Sequence, residues 1–440
     1  MTVHARAAIV GTGSRAQQFT EGLARREHIE VVAFCDPNQQ RMAHHNRLLA
    51  AAGRPPAITY RPDRFTEMLR AERVDTVVVT TIDALHDGYI VAALRAGCRV
   101  VTEKPLTTDA ERCRRILAAV DETGGDLSVA FNYRFNPVHE LVHAQLRQGA
   151  IGDLVSVHFE WMLDVRHGAD YFRRWHRERA NSGGLMVHKA GHHFDLVNWW
   201  LGARPQRVFG LGRLAFYGRE NGERTGYRRD YERAHGSSAA LDDPFALHLE
   251  DNEGLRALYL DAEHEDGYFR DRNVFGDGIT IEDDMAVLVR YDSGASMSYH
   301  LTAYSPWEGY RVMFNGTRGR LELEVEESAW QRPQAKVTSA KGNVHGDTEM
   351  ENAGGARILV RPLWQPPREV EIPEFDHAGH GGGDARMLHA LFDGGTGGAE
   401  GGAQTATAAD GALALAVGLA ANTAFSRGEV VDIDDVVRVK

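Results

Sequence analysis

The chain has 440 residues, 43% of them apolar and 25% charged, which predicts an ordinary globular protein with room for two well-buried cores. Its formal net charge of −12 disfavours nucleic acid and anionic membranes as partners. The three cysteines, Cys35, Cys98 and Cys113, are too widely spaced for a disulfide framework or a cysteine-rich zinc site.

The first 130 residues alternate short apolar strands with helical patterns. Strands are predicted at 7–10, 31–35, 76–80 and 99–102, and helices at 17–26, 86–96 and 109–123. Gly97 follows the second of these helices as a C-cap. Continuous strands rich in Val, separated by amphipathic helices, predict a parallel sheet covered on both faces.

The pattern changes after Phe131, where a second domain over residues 131–440 is expected. Longer, alternating strands are predicted at 154–163, 287–291, 295–301 and 320–325, which favours an antiparallel or mixed sheet. Residues 213–278 are polar and weakly periodic, and we interpret them as an insertion that forms a lid or an oligomer contact. An excursion at 331–355, helices at 383–392 and 405–427, and a glycine-rich flexible loop at 394–402 complete the chain.

Targeting signals are not evident in the sequence. The first ten residues lack the apolar stretch of a signal peptide. The apolar segment 412–421 is too short to span a bilayer and predicts a buried helix. We therefore expect a cytoplasmic protein without a membrane partner.

A glycine-rich turn follows the first strand and opens the first helix. It consists of Gly11, Gly13 and Ala16, with Ser14 and Arg15 between the last two. In this context a G-x-G-x-x-A pattern indicates a dinucleotide site, because the glycines let the backbone approach a pyrophosphate at the helix N-terminus. The alternative is a strand–turn–helix that binds no nucleotide.

Asp36 ends the second predicted strand, where a carboxylate can accept hydrogen bonds from ribose hydroxyls. Its charge would repel a 2′-phosphate, so NAD is favoured over NADP. Arg15 would favour NADP if it reached the adenosine ribose.

Lys104 follows the strand at 99–102 and should emerge at the carboxyl edge of the sheet, where ligands bind in doubly wound folds. There an ammonium can stabilise alkoxide character on a reacting hydroxyl. The alternative is a surface lysine in a turn.

His188 and His192 are one helical turn apart and can share a face. Histidine is suited to take a hydroxyl proton near neutral pH, and Asp195 is placed to orient His192. Each histidine alone is also compatible with a core position. The spacing fits a zinc pair too, but Lys189 lies between the two histidines, so we predict no metal.

The stretch 164–177 is dense in polar and aromatic groups. Such a segment suits a carbohydrate-binding wall, a solvated loop or a subunit interface. Its candidate substrate ligands are His167, Tyr171, Arg174, Trp175 and His176.

With these motifs in place, the chain resembles the glucose–fructose oxidoreductase/inositol dehydrogenase/MocA superfamily. The resemblance covers most of the chain outside 213–278 and 331–355. It rests on the turn at 11–16 with Asp36, on 80–86 (TTIDALH), on 103–105 (EKP), on 132–137 (NYRFNP), and on Gly183-Gly184 through His192 and Asp195.

The resemblance implies an N-terminal Rossmann domain, a C-terminal α/β domain with a large, mostly antiparallel sheet, and a homo-oligomer, either a dimer or a tetramer. It implies reversible oxidation of a sugar or cyclitol hydroxyl carbon by NAD(P), with Lys104 and His192 as catalytic residues. The further site residues that it implies are Thr80, His86, Glu103 and Asn132 for the cofactor and Arg134 for the substrate.

His188 stands where the family usually has an aspartate. This departure changes the charge and the hydrogen bonding offered to a substrate, with His188 as a substrate ligand or second proton carrier.

Three classes of function are compatible with these features. The first is an NAD-dependent dehydrogenase of a sugar, sugar derivative or polyol. The second is a glycoside-cleaving enzyme that keeps NAD bound and oxidises the sugar transiently. Such an enzyme needs additional acid/base groups, and the candidates are Asp164, His167, Tyr171, His176 and His188. The third is a non-catalytic protein that kept the nucleotide fold, against which the presence of Lys104 and His192 argues.

Overall fold

The structure, a computed structural model, describes residues 5–333, 355–374, 382–394 and 405–439. Within these ranges the strands are Ala5–Val10 (β1), Ile29–Cys35 (β2), Ile58–Tyr60 (β3), Thr76–Val79 (β4), Arg99–Thr102 (β5), Leu127–Val129 (β6), Leu154–Asp164 (β7), Pro205–Arg213 (β8), Asp284–Tyr291 (β9), Ser296–Ser305 (β10), Glu308–Gly316 (β11), Gly319–Ser328 (β12), Gly355–Pro362 (β13), Arg368–Val370 (β14), Ala406–Thr407 (β15) and Val431–Asp432 (β16).

The helices connect these strands and cover the sheets. In chain order they are Ala16–Ala24 (α1), Gln39–Ala51 (α2), Phe65–Ala71 (α3), His86–Arg95 (α4), Ala110–Thr123 (α5), Pro137–Arg147 (α6), Val165–Arg173 (α7), Arg179–Ser182 (α8), Leu185–His188 (α9), Ala190–Leu201 (α10), Arg219–Thr225 (α11), Glu253–Leu255 (α12), Glu263–Asp266 (α13), Gly383–Phe392 (α14), Ala408–Arg427 (α15) and Ile433–Val436 (α16). Short 3-10 turns lie at Pro62–Arg64, Asp83–Leu85, Asn132–Phe135, Trp175–Arg177, Ser238–Ala240 and Leu249–Asp251, and a π-helical turn at Arg256–Leu260.

Among the described residues, the first sheet has seven strands in the order β15-β6-β5-β4-β1-β2-β3. The strands β1 to β6 are parallel, and β15 joins β6 in the antiparallel sense. This confirms the predicted parallel sheet. Because the strand order reverses between β1 and β4, the carboxyl ends of these strands border the crevice in which ligands bind in such folds.

The second sheet, again among the described residues, has nine strands in the order β14-β13-β12-β11-β7-β10-β9-β8-β16. Neighbouring strands are antiparallel except for β7 and β10, which pair in parallel. Buried and less buried residues alternate along β9 and β10. The predicted antiparallel or mixed sheet is therefore confirmed as a mixed one, and the alternation shows that β9 and β10 are covered on one face.

Helix α15 fills the space beneath this sheet and touches α9, α10 and β8. At Gly418 a Cβ would lie 2.5 Å from the carbonyl oxygen of Met186, so a residue without a side chain lets α15 cross closely under α9. With 20 residues the helix is long and apolar enough to cross a membrane, which corrects the prediction from 412–421 alone. Most of it is buried inside the protein, as expected of a core helix.

The insertion at 213–278 consists of short helices and turns and has an apolar cluster of its own. Part of it returns to the first domain and contacts the turn at Ser14. The members of the cluster are Leu247, Leu249, Leu255, Leu258 and Tyr259. The excursion predicted at 331–355 and the loop predicted at 394–402 lie almost entirely outside the described residues.

Candidate active site

The glycine-rich turn connects β1 to α1 at the crevice. Gly11 has φ +85°, and a Cβ there would lie 2.6 Å from the backbone nitrogen of Thr81. At Gly13 the nearest atom to an added Cβ is the Tyr259 hydroxyl, 3.8 Å away, so the turn is open on that side. The turn therefore fits the close approach of a pyrophosphate at the start of α1.

Thr80 acts on this turn through its hydroxyl. Its Oγ1 donates to the carbonyl oxygen of Gly11 at 2.6 Å and also contacts that of Val10 at 3.1 Å. Its side chain thus fixes the backbone of the turn.

Asp36 lies at the end of β2 beside the turn. Its Oδ2 accepts from the amide of Thr12 at 2.7 Å, and its Oδ1 accepts from the amide of Asn38 at 2.8 Å. Burial raises the pKa of Asp36, and the two amides oppose that shift. Held in this way, the carboxylate fits the role of a ribose acceptor.

Arg15 and Asn132 both meet Asp384 of α14. The Arg15 guanidinium donates to Glu103 Oε1 at 2.6 Å and lies 3.3 Å from Asp384, and Asn132 Nδ2 donates to Asp384 at 2.7 Å. Arg15 is therefore held by two carboxylates on the Lys104 side of the crevice, and this placement gives no support for an NADP site built on it.

His86 is fully buried between two backbone segments. Its Nδ1 lies 2.9 Å from the carbonyl oxygen of Pro105, and its Nε2 lies 3.3 Å from that of Thr81. Burial lowers the pKa of His86. The ring ties the segment that carries Lys104 to the end of β4, so it positions the lysine.

Lys104, His188 and Asp83 form a continuous polar chain. Lys104 Nζ lies 3.2 Å from His188 Nε2 and donates to the carbonyl oxygen of His188 at 3.2 Å. His188 Nδ1 lies 2.5 Å from Asp83 Oδ2. The chain joins the carboxyl edge of the first sheet to α9 of the second domain.

The charges in this chain follow from burial. Burial lowers the pKa of Lys104 to about 8, with Asp83 and Glu103 opposing the shift. Burial and the Lys104 ammonium together lower the pKa of His188 well below its usual range, so the imidazole is neutral. An ammonium can only donate, which assigns the lone pair to His188 Nε2 and the proton to Nδ1, facing Asp83.

His192 lies near the start of α10, four residues after His188, which ends α9. Its ring stacks on Tyr133 with centroids 4.6 Å apart and meets Phe131 edge-on at 5.8 Å. It is buried, with 4% of its surface exposed. Aromatic packing thus holds the imidazole beside the crevice.

Arg134 and Asp195 form a buried ion pair, which bears on two predictions. The Arg134 guanidinium donates to both oxygens of Asp195, at 2.6 and 2.8 Å, and lies 3.4 Å from Asp410. Its buried charge requires these partners, so the pair anchors α10, and the substrate contact of Arg134 stays a prediction. The Asp195 carboxylate, predicted to orient His192, is committed to Arg134.

The segment at 164–177 converges on His188. The ring centroids of Tyr171, Trp175 and His176 lie 5.7, 5.8 and 4.2 Å from that of His188. Arg174 stands over the Tyr171 ring at 5.6 Å and pairs with Asp170. Of the interpretations of this segment, the structure favours a wall of the crevice.

His167 lies behind this wall and joins Tyr171 to Glu308. His167 Nε2 is 3.3 Å from the Tyr171 hydroxyl, and its Nδ1 is 2.5 Å from Glu308 Oε1. Burial lowers the pKa of His167 and raises that of Glu308. The three groups therefore form a second polar relay.

Sequence reasoning missed three side chains at this site. Asp83 had a usable signal, since it follows β4 at the carboxyl edge of the sheet. Glu308 and Tyr259 had none, because they reach His167 and Ser14 from 141 and 245 residues away.

A metal centre requires several His, Cys, Asp or Glu side chains that converge on one point. Over the described parts of the chain, no group of three His, Cys, Asp or Glu side chains is arranged to hold a metal ion.

Comparison with known proteins covers nearly the whole chain. The family model described as "Oxidoreductase family, NAD-binding Rossmann fold" matches residues 5–131, and "Oxidoreductase family, C-terminal alpha/beta domain" matches residues 143–433. The Bacillus subtilis (strain 168) protein YteT, named as an oxidoreductase, is 35% identical over 402 residues, 87% of each chain. The inositol 2-dehydrogenase of Rhizobium meliloti (strain 1021) is 33% identical over 138 residues, 31% of this chain and 40% of that protein.

Solved structures share the fold. The WlbA dehydrogenase from Bordetella pertussis, in complex with NADH and UDP-GlcNAcA, superposes with a TM-score of 0.62 at 18% identity over 98% of both chains. The descriptions of both family models agree with the Rossmann-type sheet and the second α/β domain described above, and YteT matches over most of the chain. The chain therefore belongs to the glucose–fructose oxidoreductase/inositol dehydrogenase/MocA family of oxidoreductases.

Proposed function

We propose that this protein is an NAD-dependent dehydrogenase of a sugar, sugar derivative or cyclitol. The observation that carries the proposal is the meeting of Lys104 Nζ and His188 Nε2 at the carboxyl edge of the first sheet, 3.2 Å apart, with His192 four residues further along the chain in α10. These groups lie beside the crevice in which a dinucleotide binds in such folds.

The proposed substrate class rests on the wall around His188. Tyr171 and Trp175 supply aromatic faces, and Arg174 supplies hydrogen-bond donors beside them. Relatives include an inositol 2-dehydrogenase and a D-apiose dehydrogenase, both of which act on polyhydroxylated molecules by name. Such a wall suits a small carbohydrate.

The chemistry assigned to this chain's residues is a proton transfer next to a charged donor. His192 takes the hydroxyl proton as general base, because a neutral imidazole is basic enough near pH 7. Lys104 donates to the same oxygen and stabilises its developing negative charge. His188 holds Lys104 through its Nε2 and its carbonyl oxygen. Bound NAD supplies the hydride acceptor.

NAD is proposed over NADP on electrostatic grounds. The Asp36 carboxylate is fixed at the edge where the adenosine ribose binds in this fold, and its charge opposes a 2′-phosphate. Arg41, whose charge acts on Asp36, is paired with Asp266 and so is not available to neutralise such a phosphate.

We also propose a cytoplasmic homo-oligomer, a dimer or a tetramer. One face of the large sheet exposes Leu211 and Leu288, which are 66% and 57% accessible. Adjacent apolar side chains on a sheet face are typical of an interface. Size-exclusion chromatography with light scattering tests this, and a monomer at micromolar concentration would contradict it.

The first experiment is to mix the protein with NAD and a panel of free sugars and cyclitols and to record NADH absorbance. We expect one class of polyol to reduce NAD. His192→Ala should lower kcat by roughly 10²–10⁴-fold while NAD binding persists. His389→Ala, at an exposed histidine of α14, is the matched control and should leave kcat unchanged. Unchanged turnover in His192→Ala would remove this residue from the chemistry.

A second candidate, redox-neutral cleavage of a glycoside, is favoured by the relay Glu308–His167–Tyr171. Oxidising an alcohol requires one base, whereas breaking a glycosidic bond by elimination also requires a group that removes a ring proton and one that protonates the leaving oxygen. The relay places a tyrosine hydroxyl, backed by a histidine and a carboxylate, against the same wall.

Chromogenic glycosides in the same assay separate the two candidates. Aglycone release without net NADH would identify the glycoside-cleaving reaction. Glu308→Gln should then abolish aglycone release while leaving oxidation of a free sugar intact. NADH accumulation with a free sugar and no aglycone release from any glycoside would establish the dehydrogenase.

A further inference from the structure

Residues 253–268 of the insertion cross to the first domain and lie on the nucleotide turn. We name them the cover segment. Its Tyr259 hydroxyl accepts a hydrogen bond from the amide of Ser14 at 3.1 Å. Asn38 Nδ2 donates to the carbonyl oxygen of Ala262 at 2.8 Å, next to Asp36. The cover segment therefore touches both the pyrophosphate end and the ribose end of the crevice.

An ion pair fastens the cover segment to α2. Arg41 lies 2.6 Å from Asp266, and its Nε donates to the carbonyl oxygen of Leu258 at 2.9 Å. Both charged side chains are largely buried, at 10% and 15% exposed. The Arg41 guanidinium also stands 5.5 Å from the Tyr259 ring. Removing one partner of such a pair leaves the other charge buried and uncompensated, so the pair holds the two elements together.

The cover segment contributes to the apolar cluster of the insertion. Leu255 and Leu258 are fully buried and pack with Leu247 and Leu249. Because this cluster is separate from the two main cores, the cover segment can move together with the neighbouring part of the insertion while the cluster stays packed.

The Tyr259 hydroxyl and a bound pyrophosphate compete for the same Ser14 amide. The amides of this turn bind a pyrophosphate oxygen in dinucleotide sites, and one N–H makes one strong hydrogen bond. The Tyr259 hydroxyl must therefore leave Ser14 before that amide can bind the cofactor. Entry of the cofactor thus requires displacement of Tyr259.

We propose that the cover segment gates the dinucleotide site, with Tyr259 as the residue that occupies the pyrophosphate-binding amide and the Arg41–Asp266 pair as the latch. This inference rests on the proposed use of NAD. The two contacts act at different stages. The Tyr259–Ser14 hydrogen bond forms only when no cofactor is bound. The Arg41–Asp266 pair holds the cover segment in place both with and without the cofactor.

Two substitutions separate these roles. Asp266→Asn weakens the latch in both states, so association and dissociation of the cofactor should both accelerate, by roughly tenfold, with Kd little changed. Tyr259→Phe weakens closure of the empty site only, so association should accelerate while dissociation stays the same and Kd falls. The matched control is Asp261→Asn, because Asp261 pairs with Arg256 inside the cover segment.

The measurement is stopped-flow fluorescence of NADH binding and of NADH displacement by excess NAD, on the full-length protein. Circular dichroism and thermal midpoints show that each variant is folded, and Tyr259→Phe keeps the test valid if Asp266→Asn unfolds. The proposal is overturned if Asp266→Asn and Tyr259→Phe both match Asp261→Asn, or if Asp266→Asn accelerates dissociation alone, as at a simple binding surface. Failure of the unmodified protein to bind NADH at equilibrium would instead overturn the proposed cofactor.

Discussion

Asp83 of the first domain lies with its Oδ2 2.5 Å from Nδ1 of His188 in the second domain. In the family pattern that this chain resembles, the carboxylate stands at position 188 itself. Here the histidine occupies that position, and the carboxylate reaches it from the end of β4. A carboxylate from the first domain therefore lies beside position 188, and His188 in turn contacts Lys104.

Asp83 and His188 should behave as one unit under mutation. His188→Asp alone brings two buried carboxylates together, and their repulsion should lower kcat/KM by roughly 10²-fold. Adding Asp83→Asn removes one charge and supplies an amide donor, so the double variant should recover at least tenfold over His188→Asp. Steady-state kinetics of the single and double variants measures the coupling. Independent, multiplying effects would contradict the pairing.

Activity should fall as the pH rises through about 8. Lys104 acts as an ammonium, and its pKa is lowered to about 8 by burial, so the charged form is lost above that pH. Asp83 raises the pKa of Lys104, so Asp83→Asn should move the falling limb of kcat/KM to lower pH. Profiles between pH 6 and 10 test this, with Asp63→Asn at an exposed carboxylate as control. If the falling limb of kcat/KM stays at the same pH in Asp83→Asn, the limb does not report the ionisation of Lys104.

Asp36 should control the choice between NAD and NADP. Asp36→Ala removes the acceptor for the ribose hydroxyls and should weaken NAD by roughly tenfold. Asp36→Asn keeps an acceptor oxygen but removes the charge that repels a 2′-phosphate. It should therefore narrow the preference for NAD over NADP, with less loss of NAD affinity than Asp36→Ala. Fluorescence titration with NADH and NADPH gives the Kd of each cofactor, and hence the preference of each variant. An NADP preference in the unmodified protein would overturn this role.

The Arg134–Asp195 pair should matter for stability. Arg134→Met leaves the buried carboxylate of Asp195 without its guanidinium, which should lower the free energy of unfolding by about 3–5 kcal/mol. Burial already raises the pKa of Asp195 to about 6 against the opposing effect of Arg134. Without Arg134 this pKa rises further, so the loss should be largest above pH 6 and shrink as Asp195 is protonated. Thermal unfolding of Arg134→Met and of the exposed control Arg64→Met measures it; equal midpoints would contradict the prediction.

Most elements of the first domain could be predicted because their patterns are local. The four strands and three helices expected before residue 130 all form, and Asp109 and Gly124 cap the third helix. Helix α2 was missed because its sequence is polar and has no clear apolar stripe. Strands β8 and β11 were missed since glycine and charged residues interrupt their alternation.

The site was predictable where a residue follows a recognisable strand or helix start. Lys104 and Asp36 end strands, so their edge of the sheet follows from the parallel topology. Partner choice was not predictable. Asp195 lies three residues from His192, yet it pairs with Arg134, because that buried guanidinium requires a carboxylate partner.

Strand β15 adds residues from near the end of the chain to the edge of the first sheet, beside β6. Helix α14 likewise supplies Asp384, which holds both Arg15 and Asn132. A growing polypeptide that has passed only its first domain therefore has an unpaired sheet edge and an Arg15 that lacks one of its two carboxylates. The edge of the nucleotide-binding domain can therefore form only after the end of the chain has been made. A truncation at the C-terminus would damage the domain that begins at the N-terminus.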